Sequence, residues 1–181
     1  VTDADGNVYS AVVIGHQEWF AENLKTTKYN NGTPIPNVTV ATEWSQLTTG
    51  ACCSYDNNIN NVGTYGLLYN WRAVNSGKLC PAGWHVPTET EWAVLTDYLG
   101  GADKAGGKLK ETGTRHWNSP NAGATNATGF TAIPGGYRLH NSSEMGKCGR
   151  WWSATEYSSD FAWYQTLCNS NYSIVSGTIE K

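Results

Sequence analysis

Charge is what this chain has least of. Only 15% of its 181 residues are Asp, Glu, Lys or Arg, against about 25% in ordinary soluble proteins. The 12 basic residues are scattered and the net charge is −3, so the sequence offers no clustered positive surface for nucleic acid or an anionic membrane. Long apolar runs are missing too: none approaches the ~18 residues that cross a bilayer, and membrane insertion is not expected. No secretory leader opens the chain, so Val1 reads as a mature or trimmed start. Nor is there a nucleophile elbow, a phosphate loop or a metal-binding helix motif, which removes the commonest enzyme signatures.

What replaces charge is Asn, Thr, Ser and Gly, together with nine tryptophans and ten tyrosines. Aromatics among short polar residues are the material of binding loops, and the composition points to an extracellular, β-rich, loop-rich protein. Five Asn-x-Ser/Thr sequons, at Asn31, Asn37, Asn126, Asn141 and Asn171, are expected by chance in so Asn- and Thr-rich a chain. The length suits one domain, 1–181, with its own core, and no repeat or linker divides it.

The element signals are uneven. A turn at Asp5-Gly6-Asn7, the alternation through Val8, Ser10 and Val12, and the stop at Gly15 predict a β-hairpin closed by Trp19-Phe20-Ala21-Glu22-Asn23-Leu24. Residues 28–63 read as loop, broken by Asn30-Asn31-Gly32, Pro34, Pro36 and the Asn-rich run at 56–61. A short amphipathic helix is predicted over 66–77 from Leu68, Trp71 and Val74. A clearer one starts at Thr88, where Glu91 completes a capping box; Trp92, Leu95 and Leu99 share its inner face, and Gly100-Gly101 ends it. Residues 102–150 read as glycine-rich loop with short strands. From 151, WWSATEY, FAWYQTLC and YSIVSGTIE are spaced as an antiparallel meander.

The stretch LCPAGWHVPTETEW, residues 79–92, is dense enough to suggest a site. Each part has a structural use, however. Pro81-Ala82-Gly83 turns, Trp84 and Val86 face one side of an extended segment, and Pro87 leads into the capping box. His85 has no second His or Cys within four positions to share a metal, and His16, His116 and His140 are isolated. A hydrogen-bonded structural histidine is expected, and the stretch is scaffold. Asp56, Asn58 and Asn60 put oxygens at alternate positions as calcium loops do. The glycine at the sixth place and the acid at the twelfth are missing, Leu67 standing there. A solvated loop is the default; calcium is the sole cofactor candidate.

The five cysteines, Cys52, Cys53, Cys80, Cys148 and Cys168, leave at least one thiol unpaired within the chain. Cys148 and Cys168, twenty residues apart, suit a disulfide between neighbouring strands, worth roughly 3 kcal/mol by loop closure. Free or differently paired thiols are the alternative. Pairing of Cys53, or its neighbour Cys52, with Cys80 is a further option.

Three long segments carry a resemblance: GTYGLLYNWRAVNSGKLCPAGWHVPTETEWAVLTDYLGG, AGGKLKETGTRHWNSPNAGATNATGFTAIPGGYR, and GRWWSATEYSS with AWYQTL. With DADGNVY and WFAENLKTTKYNNGTPIP near the start, they closely resemble the Fibrobacter succinogenes major paralogous domain. That family resembles a branch of the C-type lectin-like fold, related to the formylglycine-generating-enzyme group. The resemblance implies an α+β domain, two helices packed on a twisted antiparallel sheet with long loops. It implies a place in secreted or surface-anchored bacterial proteins or on phage virions, generally without an assigned activity. Family members continue past the position of Lys181 into a final strand; this chain stops at Ile179-Glu180-Lys181. The enzyme relatives work through cysteines late in the chain, which makes Cys148 and Cys168 the positions an oxidase reading would need. The sugar-binding signatures of calcium lectins are absent.

The leading functional expectation is non-enzymatic recognition of a protein or glycan through the C-terminal strands. Some family members resemble the variable proteins of diversity-generating retroelements. On that analogy the ligand-facing patch is His140, Arg150, Asp160, Phe161, Tyr164, Gln165, Asn169, Asn171 and Tyr172. The second expectation is a structural module of a surface or filament assembly; the third is an oxidase-like enzyme.

Overall fold

A computed structural model describes residues 1–181. The fold is α+β, built from small antiparallel sheets and few helices. Strands β1 (Ala11–Ile14) and β2 (Gln17–Phe20) form the expected hairpin, with Ile14 opposite Gln17 across a two-residue turn. Ile14 and Trp19 are its buried residues, and Phe20 stacks on Trp84 with ring centroids 4.4 Å apart.

The middle of the chain is irregular but not featureless. It carries one-turn helices α1 (Ala41–Trp44), α2 (Val62–Tyr65) and α3 (Trp71–Val74), and a two-residue pairing of β3 (Cys52–Cys53) with β4 (Leu68–Tyr69). The helix expected over 66–77 is therefore shorter than its apolar spacing suggests. Leu68 and Tyr69 are spent in the strand, and the Asn70 side chain accepts from the Ala73 N–H, starting α3 only at Trp71. Asn70 stops the helical pattern from reaching back because its side chain caps best outside helical backbone.

Helix α4 (Glu89–Tyr98) forms as its sequence dictates. The Thr88 hydroxyl accepts from the Glu91 N–H, and Glu91 accepts from the Thr88 N–H at 2.8 Å. Trp92, Leu95 and Leu99 are buried. Helix α5 (Ala102–Leu109) corrects the expectation of loop beyond 102. Gly106 and Gly107 look like breakers, yet both are buried in the helix. A Cβ on Gly106 would run into the Ser173 carbonyl, and one on Gly107 into the Gly123 carbonyl. The glycines let the backbone of α5 touch other main chain, and that packing outweighs their propensity cost of ~1 kcal/mol each.

After the short pair β5 (Tyr137–Arg138) and β6 (Ser142–Ser143), the chain ends in the expected meander. Strands β7 (Cys148–Glu156), β8 (Phe161–Cys168) and β9 (Val175–Glu180) form one antiparallel sheet with β8 central. Cys148 lies opposite Cys168 in the register, and the two are joined by a disulfide.

The apolar interior is divided. The largest cluster joins Ile14, Trp19, Trp92, Leu95, Leu109, Trp117 and Phe130 between the hairpin, α4 and α5. A second gathers Ile35, Cys52, Trp71, Val74, Leu79 and Ala162 around α3, and a small third holds Trp44, Ala51 and Cys53. Most domains pack one contiguous core; here a cleft lies between the first two clusters.

Candidate binding cleft

A cleft of about 950 Å³ runs between the first two clusters. One wall is β2 with the chain after it, from Gln17 to Leu24; the other is the stretch Gly149 to Trp152 of β7. The segment Trp84–Pro87 and the N-terminal turn of α4 close one side, and Ile133 to His140 the other. Seven of the nine tryptophans line it: Trp19, Trp44, Trp71, Trp84, Trp92, Trp151 and Trp152. Its volume lies at the upper end of the few hundred to ~1,000 Å³ typical of ligand sites.

Four buried side-chain atoms in the molecule lack a hydrogen-bond partner, and three of them belong to cleft residues: Trp71 Nε1, Trp92 Nε1 and Arg150 Nε. All three are donors. Other indoles across the cleft are satisfied: Trp151 Nε1 donates to Asn23 Oδ1 at 3.1 Å, and Trp152 Nε1 to the Tyr69 carbonyl at 2.8 Å. The Arg150 guanidinium is held by aromatic faces instead of by polar partners. Its carbon sits 3.5 Å from the centre of the Tyr137 ring and 4.9 Å from that of Tyr164. Arg138 nearby is already committed, with Nη1 donating to the Val38 carbonyl and Nη2 to that of Thr39.

The strand edges beside the cleft are only partly paired. Ala21 N–H donates to the Ser10 carbonyl, so in the alternating ladder Glu18 and Phe20 turn their backbone groups away from β1. On β7, the Cys148 carbonyl accepts from Gly136 N–H and Ala154 N–H donates to the Pro87 carbonyl, both on the side away from β8. Arg150 and Trp152 lie between them on that same side; Arg150 shares the parallel bridge of Gly136 with Gly149, and Trp152 has no such partner.

The residues expected to form a ligand patch do not form one surface. His140, Arg150 and Tyr164 come together at the cleft. Gln165 is instead 2% exposed: its amide donates to both Glu89 oxygens at 3.0 Å and its Oε1 accepts from the Ser176 hydroxyl. Strand alternation put it on the inner face of β8. Asp160 and Phe161 are exposed at the β7–β8 turn. Asn169 spends its amide on the Asn118 and Ser119 carbonyls, Asn171 accepts from Ser173, and Tyr172 is exposed beyond them.

The remaining candidates are placed as follows. Asn58 Oδ1 accepts from the Asn60 N–H, Asp56 has left-handed backbone, and no group of three or more His, Cys, Asp or Glu is placed to hold a metal ion. Cys53 and Cys80 are not bonded to each other; with Cys52 they are free thiols. Adjacent strand residues face opposite ways, and Cys52 and Cys53 enter different apolar clusters. Burial pushes the Cys52 thiol up to about 12, with the Cys53 and Asp5 charges adding to it, and burial pushes Cys80 up to about 12 as well. His85 Nε2 lies 2.8 Å from Glu91 Oε1. Burial works against the Glu91 carboxylate, but hydrogen bonds from Thr88 and His85 outweigh it and hold this carboxyl below its usual range. His85 thus belongs to the helix start.

The model of the Fibrobacter succinogenes major domain matches residues 12–176. The chain belongs to this family. No curated protein and no solved structure matches. Sequence reasoning took Trp151 and Trp152 as framework and passed over Trp19, Trp71 and Tyr137 as site residues. Nothing in their spacing signals that Tyr137, in β5, meets Arg150.

Proposed function

We propose that this domain is a non-enzymatic recognition module on a bacterial cell surface or virion, binding a protein or glycan in the aromatic cleft. The observation that carries the reading is the cleft itself: tryptophan-lined, open, and holding buried donors with no acceptor. Rigid aromatics beside short polar groups favour binding in the same way as antibody loops. The binding centre moves accordingly from the exposed tail-end strands to Arg150, Tyr164 and His140 at the cleft.

Cysteine chemistry has little support. Cys148 and Cys168 are bonded to each other and neither lines the cleft. Cys80 does line it, but its raised pKa keeps it a thiol at neutral pH, and the thiolate is the nucleophile. The disulfide suits an oxidising compartment, as an extracellular location requires. The N-terminal hairpin, the α4–α5 pair and the terminal meander fit a C-type lectin-like arrangement.

The test is to probe the purified domain on glycan arrays and panels of surface proteins, following cleft tryptophans by acrylamide quenching. A cleft ligand shields them and loses affinity with Tyr164→Ala. Binding that ignores Tyr164→Ala and is lost with Tyr172→Ala would place the site elsewhere and overturn the proposal.

A further inference from the structure

We infer that Asn31 is a site of spontaneous covalent modification, its side-chain amide being hydrolysed through a cyclic imide formed with the backbone of Gly32. The reaction is independent of the cleft and of anything bound there. Its nucleophile is the backbone nitrogen that follows an asparagine, and a side chain on the residue carrying that nitrogen stands in the way. Of all the asparagines in the chain, only Asn31 precedes a glycine.

The local structure supplies the rest. Asn31 and Gly32 are exposed at the tip of a small hairpin. A bridge between Lys28 and Pro34 closes it, and the Tyr29 N–H donates to the Thr33 carbonyl at 2.9 Å. Gly32 has φ +82°, and a Cβ there would meet nothing within 4 Å. The Asn31 side chain turns back over its own peptide, its Oδ1 accepting the Thr33 N–H at 3.0 Å. That bond draws charge toward the oxygen on which a tetrahedral intermediate places its negative charge. The Gly32 N–H is itself held, donating to the Tyr29 carbonyl at 2.8 Å. The electrophile is thus positioned and the nucleophile sheathed, so the opening of one exposed hydrogen bond gates the reaction. Asp5-Gly6 is the other pair able to close such a ring, and there the carboxylate is tied down. It accepts from Thr26 and Thr27 and pairs with Lys28 at 3.2 Å.

Once the bond opens, the Gly32 nitrogen gives its proton to a base from solvent and bonds to Asn31 Cγ. The Cγ–Nδ2 bond breaks and the amide nitrogen leaves as ammonia. Water then adds to either carbonyl of the ring. One opening leaves an aspartate; the other leaves an isoaspartate, whose main chain runs through the former side chain. The sum is one water consumed and one ammonia released. Both products put a negative charge at the tip. The isoaspartate also lengthens a loop that Asn30 ties to the Lys78 and Cys80 carbonyls.

The experiment ages the full chain in mildly alkaline buffer. It is followed by intact mass, by fragmentation of the tryptic peptide that starts at Tyr29, and by isoaspartyl methyltransferase labelling. Asn31 should be the first asparagine converted, with isoaspartate in excess of aspartate. Conversion in denaturing urea should be faster by up to about 10-fold, the cost of opening one hydrogen bond. Asn31→Gln, whose longer side chain closes the ring poorly, should remove the early mass change and the label; circular dichroism checks that this variant folds. First conversion at another asparagine, conversion of Asn31 without any methyl label, or an early mass change undiminished in Asn31→Gln would each overturn the inference. So would a folded chain in which Asn31 stays intact while the unfolded chain reacts. Equal rates with and without urea would overturn the gate at the Tyr29 carbonyl.

Discussion

Lys110 has no exposed surface, yet it keeps most of its positive charge at neutral pH. Its Nζ donates to the carbonyls of Ala122 at 2.9 Å, Cys168 at 3.0 Å and Asn171 at 2.7 Å, and lies 5.4 Å from the centre of the Trp117 ring. One side chain thus ties the end of α5 to the loop before Phe130 and to the chain after β8. Lys110→Met keeps the length and strands three carbonyls; we expect a loss of at least about 3 kcal/mol in denaturant unfolding. Titration acts at this scale too, with opposing signs. Burial pulls Lys110 down to about 8. Between there and the ~10.4 of an unfolded lysine the unfolded chain holds more protons, so this residue's contribution rises with pH. Cys52 and Cys80, raised to about 12, do the reverse: their contribution is complete below the ~8.5 of an unfolded thiol and is lost as pH climbs toward 12. Tyr9 and Tyr69, also raised by burial, add to that loss above pH ~10. The acids outnumber the lysine, so the melting temperature should fall above pH ~9, and Cys80→Ala should make the fall shallower. A wild-type melting temperature flat to pH ~11 would contradict this.

Among the elements, α4 and α5 show what local sequence can and cannot say. The α4 start is written in four residues, Thr88 to Glu91, because a capping box needs nothing from elsewhere in the chain. Thr88→Ala should cost about 1 kcal/mol, read as a shift in the urea midpoint. Its effect also reaches the cleft wall, since the same box holds Glu91 and through it His85. Helix α5 was unreadable for the opposite reason. Its Gly106-Gly107 is a breaker by propensity and a helix only because the carbonyls of Ser173 and Gly123 press against it. Those partners lie 67 and 16 residues away in sequence. The terminal meander was legible from its alternation and turn spacing, and its register put Cys148 opposite Cys168. Which residues of β8 face inward was not, and Gln165 went to the buried side.

At the scale of the molecule the divided interior predicts an exchange pattern. The amides of Glu18, Phe20 and Trp152 point away from their paired strands without a backbone partner, while those of Trp19 and Trp151 face a neighbouring strand. Hydrogen exchange should therefore alternate along β2 and β7, fast at the first set and slow at the second. Uniform protection along both strands would mean that the cleft edges are already paired.

The sequence by itself determined the class of the molecule. Scarce charge, abundant tryptophan, the hairpin, the capped helix and the final meander all follow from interactions among residues close in the chain, and the family is written in motifs of that length. Only the tertiary structure decided where the cleft lies. Arg150, Tyr137, Trp19 and Trp71 come from separate parts of the chain, and what unites them is a space they fail to fill. Local patterns record the contacts a segment makes with itself; an unfilled space between clusters is a property of how segments pack, and no single stretch encodes it.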